Sequence, residues 1–519
     1  MHTPKNSSDI SHKKNAGRKK DFSFFYDVVK LVSGNGFVQV LRVLLSPIIS
    51  RLFLPEFFGV RQNFSSIANI LAVISSLRYD QSIMLPKEKE KAANQFGISL
   101  FFIFITTPIS LIVIWLFKDK IADVLNAPKL ASYLWFVPIQ VFMIGAFNVF
   151  KQWNARKRKF LQLSMAEVTR EVAADGMTVG LGLADLASSS SMIISRIFGQ
   201  VLSTFTLGLL VLKEDGKFIV DQIRWNKMKT GMREYKKFPQ FNLLAEFLSS
   251  LSLYLPGILL SAYFSPTTAG YFAMGQSVLR LPIALIGNSI GQVFFQRGAK
   301  SYHEGKFTAT VEETYKRLTV FGVFPMLVTM IIGKELFTVA FGSEWAQAGV
   351  FSQILSLWTL LIFLASPLSI IPNILGKNEV SVILNISRVV AAVASLVIGG
   401  ITGNIYLGLW LFTITGSITL GAFILWATTA SGMPLRKTLK YLLDNIILSV
   451  PFLALIIIFQ RFNPLPERTL TNLEIFLPYL GLILFSILIG IIYYLIAVLR
   501  DPSIKEALQQ ILKKYINEK

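Results

Sequence analysis

Six arginines lie inside apolar runs of membrane-crossing length: Arg42, Arg61, Arg170, Arg196, Arg280 and Arg388. A guanidinium at the bilayer centre costs about 2.5–3.5 kcal/mol on insertion scales, so it faces protein or water rather than lipid. It stays charged at every physiological pH, and its planar fork grips phosphate through two parallel hydrogen bonds. The chemistry these residues offer is capture of an anionic group within the membrane. Arg42, Arg280 and Arg388 fall nearest mid-membrane. Arg42 belongs to a polar line, Asn35, Gln39, Arg42, Ser46 and Ser50, whose spacings of 4, 3, 4 and 4 put all five on one helical face. Arg280 shares its face with Gln276 and Asn288, and Asn385 stands one turn before Arg388. The candidate anion-binding residues are therefore Arg42, Arg280, Arg388 and Arg61. Arg61 and Arg196 lie near the membrane boundary, where snorkelling is the alternative.

Acids are scarcer. Glu167, Glu171 and Asp175 recur every four residues along one run, and Glu246 falls in a later one. Glu171, Asp175 and Glu246 are candidate groups for coupling to an ion or proton. The alternative is structural pairing, since Arg170 adjoins Glu171. Cysteine is absent, which removes disulfides, thiol catalysis and thiolate metal sites. Three histidines, at positions 2, 12 and 303, leave little for a metal cluster. No nucleophile–base–acid set appears. Hence no catalytic residue, metal or cofactor is expected, and the chain does not read as an enzyme.

The elements that must hold these charges are membrane helices. The 519 residues are 53% hydrophobic and 16% charged, with a mean hydropathy of +0.56, far from soluble-domain usage. Apolar runs of about 20 residues predict an all-α chain with about 14 transmembrane helices. They fall at 31–53, 57–77, 95–117, 130–150, 162–183, 190–212, 241–262, 267–290, 316–336, 348–372, 379–400, 404–428, 439–460 and 474–498. The fifth is the most polar. With the N-terminus on the cytoplasmic side, 38 of the 51 Lys and Arg fall inside. Only Arg51, Lys118, Lys120, Lys129, Lys334, Arg461 and Arg468 fall outside. That asymmetry obeys the positive-inside rule and puts both termini in the cytoplasm. It also accounts for the net charge of +21 without nucleic acid. No cleavable signal peptide is expected.

Residues 1–29 read as a basic cytoplasmic arm lying on the anionic inner leaflet, or else as a solvated tail. The basic stretch 213–240 reads as a cytoplasmic linker between six-helix bundles at 30–212 and 241–428. Two additional helices fill 429–500. The tail 501–519, with Ile504, Leu508, Ile511, Leu512, Tyr515 and Ile516 at helical spacing, reads as an amphipathic surface helix or a partner-binding helix. One faint repeat supports the two halves. Phe53-x-Pro55-x-x-x-Gly59 recurs as Phe264-x-Pro266-x-x-x-Gly270, each between an odd span and the next. Two six-span halves of like orientation would form a parallel repeat with a substrate site between them.

Several stretches carry a family resemblance. They are Ser50 to Gly59, Leu77-Arg78-Tyr79-Asp80-Gln81-Ser82-Ile83-Met84-Leu85-Pro86 with Lys91-Ala92-Ala93-Asn94, and Tyr235-Lys236-Lys237-Phe238-Pro239. Phe264 to Pro282, Gly291-Gln292-Val293-Phe294 and Phe341 to Gly349 extend the set. In order and placement, across most of 30–380, they resemble Wzx-like polysaccharide biosynthesis flippases. These belong to the multidrug/oligosaccharidyl-lipid/polysaccharide exporter superfamily, with drug/sodium antiporters and the lipid II flippase. The resemblance implies two six-helix bundles in a V-shaped, alternating-access arrangement. It implies that undecaprenyl-pyrophosphate-linked oligosaccharide repeat units cross the bacterial cytoplasmic (inner) membrane for O-antigen, capsule or exopolysaccharide. Arginines in spans 1, 2 and 8 of such proteins line the pyrophosphate cavity, and Arg42, Arg61 and Arg280 occupy those spans here. An ion gradient, H+ or Na+, is the implied driving force. A polysaccharide polymerase and a chain-length regulator are the implied neighbours. The alternative within the superfamily is a cation-coupled small-molecule or drug exporter, which would rely on the span-five acids.

Overall fold

In lipid a chain must satisfy its own backbone hydrogen bonds, and a helix does so within one segment. The computed structural model describes residues 39, 41–462 and 473–499. The side chains at 285, 286, 288, 289, 292, 293, 295, 296, 473–476, 498 and 499 are not among those described. The basic arm 1–29, Asn35, Arg468 and the tail 501–519 lie outside the described residues. Within them there is helix and turn but no strand.

Helix α1 covers 41–52. Then come α2 (Pro55–Ile74), α3 (Tyr79–Ser82), α4 (Lys89–Val124), α5 (Leu130–Leu134), α6 (Val137–Arg156), α7 (Phe160–Leu183), α8 (Ser189–Gln222) and α9 (Trp225–Glu234). A π-helical turn, Phe238–Asn242, leads into α10 (Leu243–Tyr263). Helix α11 (Pro266–Leu279) and α12 (Asn288–His303) flank a second π-helical turn, Ile283–Gly287. The chain continues with α13 (Phe307–Phe341), α14 (Ala346–Leu368), α15 (Ile371–Ile374), α16 (Asn378–Ile401), α17 (Ile405–Ala430), α18 (Leu435–Phe462) and α19 (Leu473–Leu499). Among the described residues, nine helices are long and apolar enough to cross a membrane: α4, α8, α10, α13, α14, α16, α17, α18 and α19. The described parts of the other predicted runs are also largely helical, but in shorter, split or more polar pieces. Exposed Phe104, Ile109, Ile112, Trp115 and Leu116 on α4 present the apolar surface a bilayer would solvate. The chain is an all-helical polytopic membrane protein.

The chain divides into two compact units. Unit 1 comprises 1–52 and Asn63–Tyr254; unit 2 comprises Phe53–Gln62 and Leu255–Lys519. The stretch 213–240, read from sequence as a linker, is largely helical and part of unit 1. Met228 of α9 packs with Tyr79 and Ile98, and the Tyr79 hydroxyl donates to the Met232 carbonyl at 3.1 Å. Asn94 fixes the α8–α9 corner, donating to the Gln222 carbonyl and accepting from the Arg224 amide. Lysine-rich composition hid this docking face.

Unit 2 is built on an aromatic core in which Trp358, Phe363 and Phe412 are buried. The α18 and α19 helices join it through α13, where Phe324 stacks on Tyr493 at 4.3 Å. The two copies of the repeat motif meet within this unit. A Cβ on Gly59 would lie 1.6 Å from the Pro266 carbonyl oxygen, and one on Gly270 would lie 2.0 Å from that of Pro55. Each glycine thus accommodates the backbone of the other copy, an approach no larger residue permits. Ser265 caps α11, accepting from the Thr268 amide, and Pro266 fills the first turn. Buried Trp345 closes the junction, edge-on to Phe58 at 4.7 Å and near Tyr271.

Candidate functional site

The charged centre of unit 1 follows from a close helix crossing. On α8, Gly199 faces α7: a Cβ there would lie 2.4 Å from the Arg170 carbonyl oxygen and 2.8 Å from Ala174 Cβ. Ser203 ties the same pair by donating to the Ala166 carbonyl at 2.7 Å. Small residues let the two backbones approach. That approach brings Arg196, near Gly199 on α8, onto Glu171 of α7.

Glu171 is fully buried. Its Oε2 accepts from Arg42 Nη2 at 2.6 Å and Nε at 3.1 Å, and from Arg196 Nη1 at 2.8 Å. Its Oε1 accepts from Arg170 Nε at 2.9 Å. Arg170 also lies over the Phe147 ring, 5.6 Å from its centroid. Asp175 and Tyr254 add electrostatic contacts to Arg196. Glu167 bonds Lys151 instead, at 3.2 Å. Three guanidiniums thus share one buried carboxylate, and Asp175 only partly offsets the surplus. The arginine side chains are 37%, 28% and 33% exposed, so this surplus is accessible. Charge-assisted bonds of this length are strong, and removing the buried carboxylate they share would cost about 3–5 kcal/mol.

The predicted residues therefore separate. Arg42 and Glu171 come together, with Glu171 spent on three cations. Glu246 lies in the first turn of α10, its Oε2 3.7 Å from Arg78 Nη2. Sequence reasoning missed Arg78. It is nearly buried, its Nε has no hydrogen-bond partner among the described residues, and it sits at φ 62° after Leu77 at φ 48°. Two successive left-handed residues without glycine mark a strained corner. Ser76 braces that corner by donating to buried Asp80 at 2.6 Å.

Arg61, Arg280 and Arg388 belong to unit 2. The Arg61 guanidinium lies 4.8 Å from the centroid of the Phe58 ring. Arg280 caps the C-terminus of α11 where the helix gives way to the π-helical turn, and its carbonyl accepts from the Ala284 amide. Discontinuous membrane helices mark substrate sites in transporters, and π-helical turns are frequent at functional sites. Arg388 is half-buried on α16, and no hydrogen-bond or ion-pair partner faces it among the described residues.

Comparison with known proteins gives this geometry a family. A family model described as "Polysaccharide biosynthesis protein" matches residues 48–349. The chain belongs to that family. This polysaccharide biosynthesis protein is 20% identical over 410 residues to the succinoglycan biosynthesis transport protein ExoT of Rhizobium meliloti (strain 1021), covering 77% of the chain and 79% of ExoT. It is 21% identical over 299 residues to the lipopolysaccharide biosynthesis protein WzxC of Escherichia coli (strain K12), covering 56% and 58%. Its fold matches the lipid II flippase MurJ in an inward closed conformation, with a TM-score of 0.64 at 12% identity over 90% of the chain and 98% of MurJ. An inward-facing multidrug resistance MATE transporter matches with a TM-score of 0.61 at 13% identity, over 78% and 99%.

Proposed function

We propose that this family member is a flippase for undecaprenyl-pyrophosphate-linked oligosaccharide repeat units, working by alternating access in the bacterial inner membrane. Its product feeds O-antigen, capsule or exopolysaccharide synthesis. The excess of arginine over carboxylate on its membrane helices most directly supports this reading. The pyrophosphate meets Arg42, Arg280, Arg388 and Arg61, the sugar occupies the aqueous cavity, and the prenyl tail remains in lipid. About 14 transmembrane helices, as two six-helix bundles in a V plus two C-terminal helices, move that site from one leaflet to the other, with both termini cytoplasmic. An H+ or Na+ gradient drives the cycle, and a polysaccharide polymerase and a chain-length regulator act beside it. The binding of Glu171 to three arginines, and of Glu246 near Arg78, favours this over drug export coupled through those acids.

The test is complementation of a deletion strain. Arg42→Ala, Arg280→Ala and Arg388→Ala should insert at wild-type levels yet fail to restore surface polymer, with lipid-linked intermediates left on the inner leaflet. Full restoration by all three variants would remove the assignment of these roles.

A further inference from the structure

A second cationic feature lies outside the membrane arginines. In unit 1 the end of α6, the turn after it and the segment leading into α4 line an open cavity of about 740 Å3. Its cations are Lys87, Lys89, Arg156, Lys157 and Arg158, and its apolar walls include Leu85 and Phe160. The positive-inside distribution assigns both loops to the cytoplasmic surface.

Charge bookkeeping separates these cations. Lys157 donates to Asp215 at 2.5 Å, in company with the Trp153 indole, and neighbouring Lys159 pairs with Glu214. Those two lysines are neutralised by α8. Arg156 is solvated but not neutralised: its guanidinium donates to the carbonyls of Ile83, Met84 and Lys87, which fixes the cavity wall. Lys87, Lys89 and Arg158 are exposed, and none faces a carboxylate among the described residues. Among the described residues Lys89 meets the Phe218 ring, 5.9 Å away. Among the described residues, four of the cavity's positive charges thus face no carboxylate.

Two further features mark a built site. Arg158 stands at φ 58° in the turn closing α6, where the Arg158 amide bonds the Ala155 carbonyl and the Lys159 amide bonds that of Asn154. Glycine or asparagine ordinarily takes this position, so a long cation there is held in strain. The exposed apolar side chains of Met84 and Leu85 line the same cavity as the cations. Cations with an adjoining exposed apolar surface are what the headgroup–acyl boundary of a leaflet matches.

We propose that this cavity binds the phosphate headgroup of an anionic phospholipid of the inner leaflet, the acyl chains lying along Met84 and Leu85. The proposal stands independently of the flippase reading, because its readout is lipid retention rather than transport. Full-length protein in nanodiscs of mixed phosphatidylglycerol and phosphatidylcholine is examined by native mass spectrometry. Wild type should retain phosphatidylglycerol selectively. Lys87→Gln/Lys89→Gln/Arg158→Gln should bind it about a hundredfold more weakly, at about fivefold per cation. The exposed lysines 306, 377 and 440, changed together to Gln, form the control and should leave retention unchanged. Arg158→Gly should weaken retention while relaxing the turn, so a loss of binding there cannot come from unfolding. Unchanged retention in the triple variant overturns the proposal, as does an equal loss in the control. Displacement of the phosphatidylglycerol by equimolar prenyl pyrophosphate, or by an acidic peptide, would assign the cavity to that ligand and also overturn it.

Discussion

The arginines of unit 1 and Arg388 of unit 2 meet the same physical problem in opposite ways. A guanidinium drawn from water needs acceptors for its five N–H groups and a countercharge. Arg42, Arg170 and Arg196 share both in Glu171, at 2.6–3.1 Å. Arg388, on the apolar α16, has neither among the described residues. The first arrangement holds helices α1, α7 and α8 in register and leaves surplus charge at its surface. The second leaves its fork unspent. The partners of an intramembrane arginine therefore set how much of its charge is already shared.

Breaking the braced centre should give the largest effect. Glu171→Gln leaves three part-buried cations without the buried carboxylate they share and should cost about 3–5 kcal/mol, read as a large fall in thermal unfolding temperature in detergent. Retention of wild-type stability would show that the three pairs contribute nothing net. Arg42→Gln should cost less, about 1.5–3 kcal/mol, because Glu171 keeps Arg170 and Arg196. Gly199→Ala attacks the same centre through the backbone. Its methyl group meets the Arg170 carbonyl, forces α8 off α7, and should cost about 1–3 kcal/mol. Because Gly199→Ala and Arg42→Gln disturb one network, their effects should be non-additive. Strict additivity would argue that the close crossing does not position Arg196.

These pairings were only partly legible in the sequence. Apolar run length predicted helix throughout, and residue type alone picked out the intramembrane arginines. Helical spacing says which face a residue occupies, but not which helix opposes it. Arg42 and Glu171 are 129 residues apart, and nothing local links them. The readable clue was Gly199 opposite Ala174, the small pair that fixes where α7 and α8 cross. The repeat Phe53–Gly59 and Phe264–Gly270 was legible as a repeat. That its copies press against each other was not, because a pattern match carries no distance. Several stretches that carry the family resemblance, through Gly59, Gly270 and Trp345, are packing at this junction rather than ligand chemistry.

The smallest stability change is expected at Arg388, and it sharpens the contrast most. Arg388→Gln breaks no pair among the described residues and removes a charge from an apolar helix. Stability should stay within about 1 kcal/mol of wild type or rise. Surface polymer should nevertheless fall if, as proposed, this fork meets the pyrophosphate. Arg388→Lys separates charge from shape. A lysine keeps the positive charge but not the two-pronged geometry, so it should restore polymer in part. Full restoration by lysine would mean that Arg388 supplies only potential. A destabilisation as large as that of Glu171→Gln would mean that Arg388 is itself a brace, and the two units would then use arginine alike.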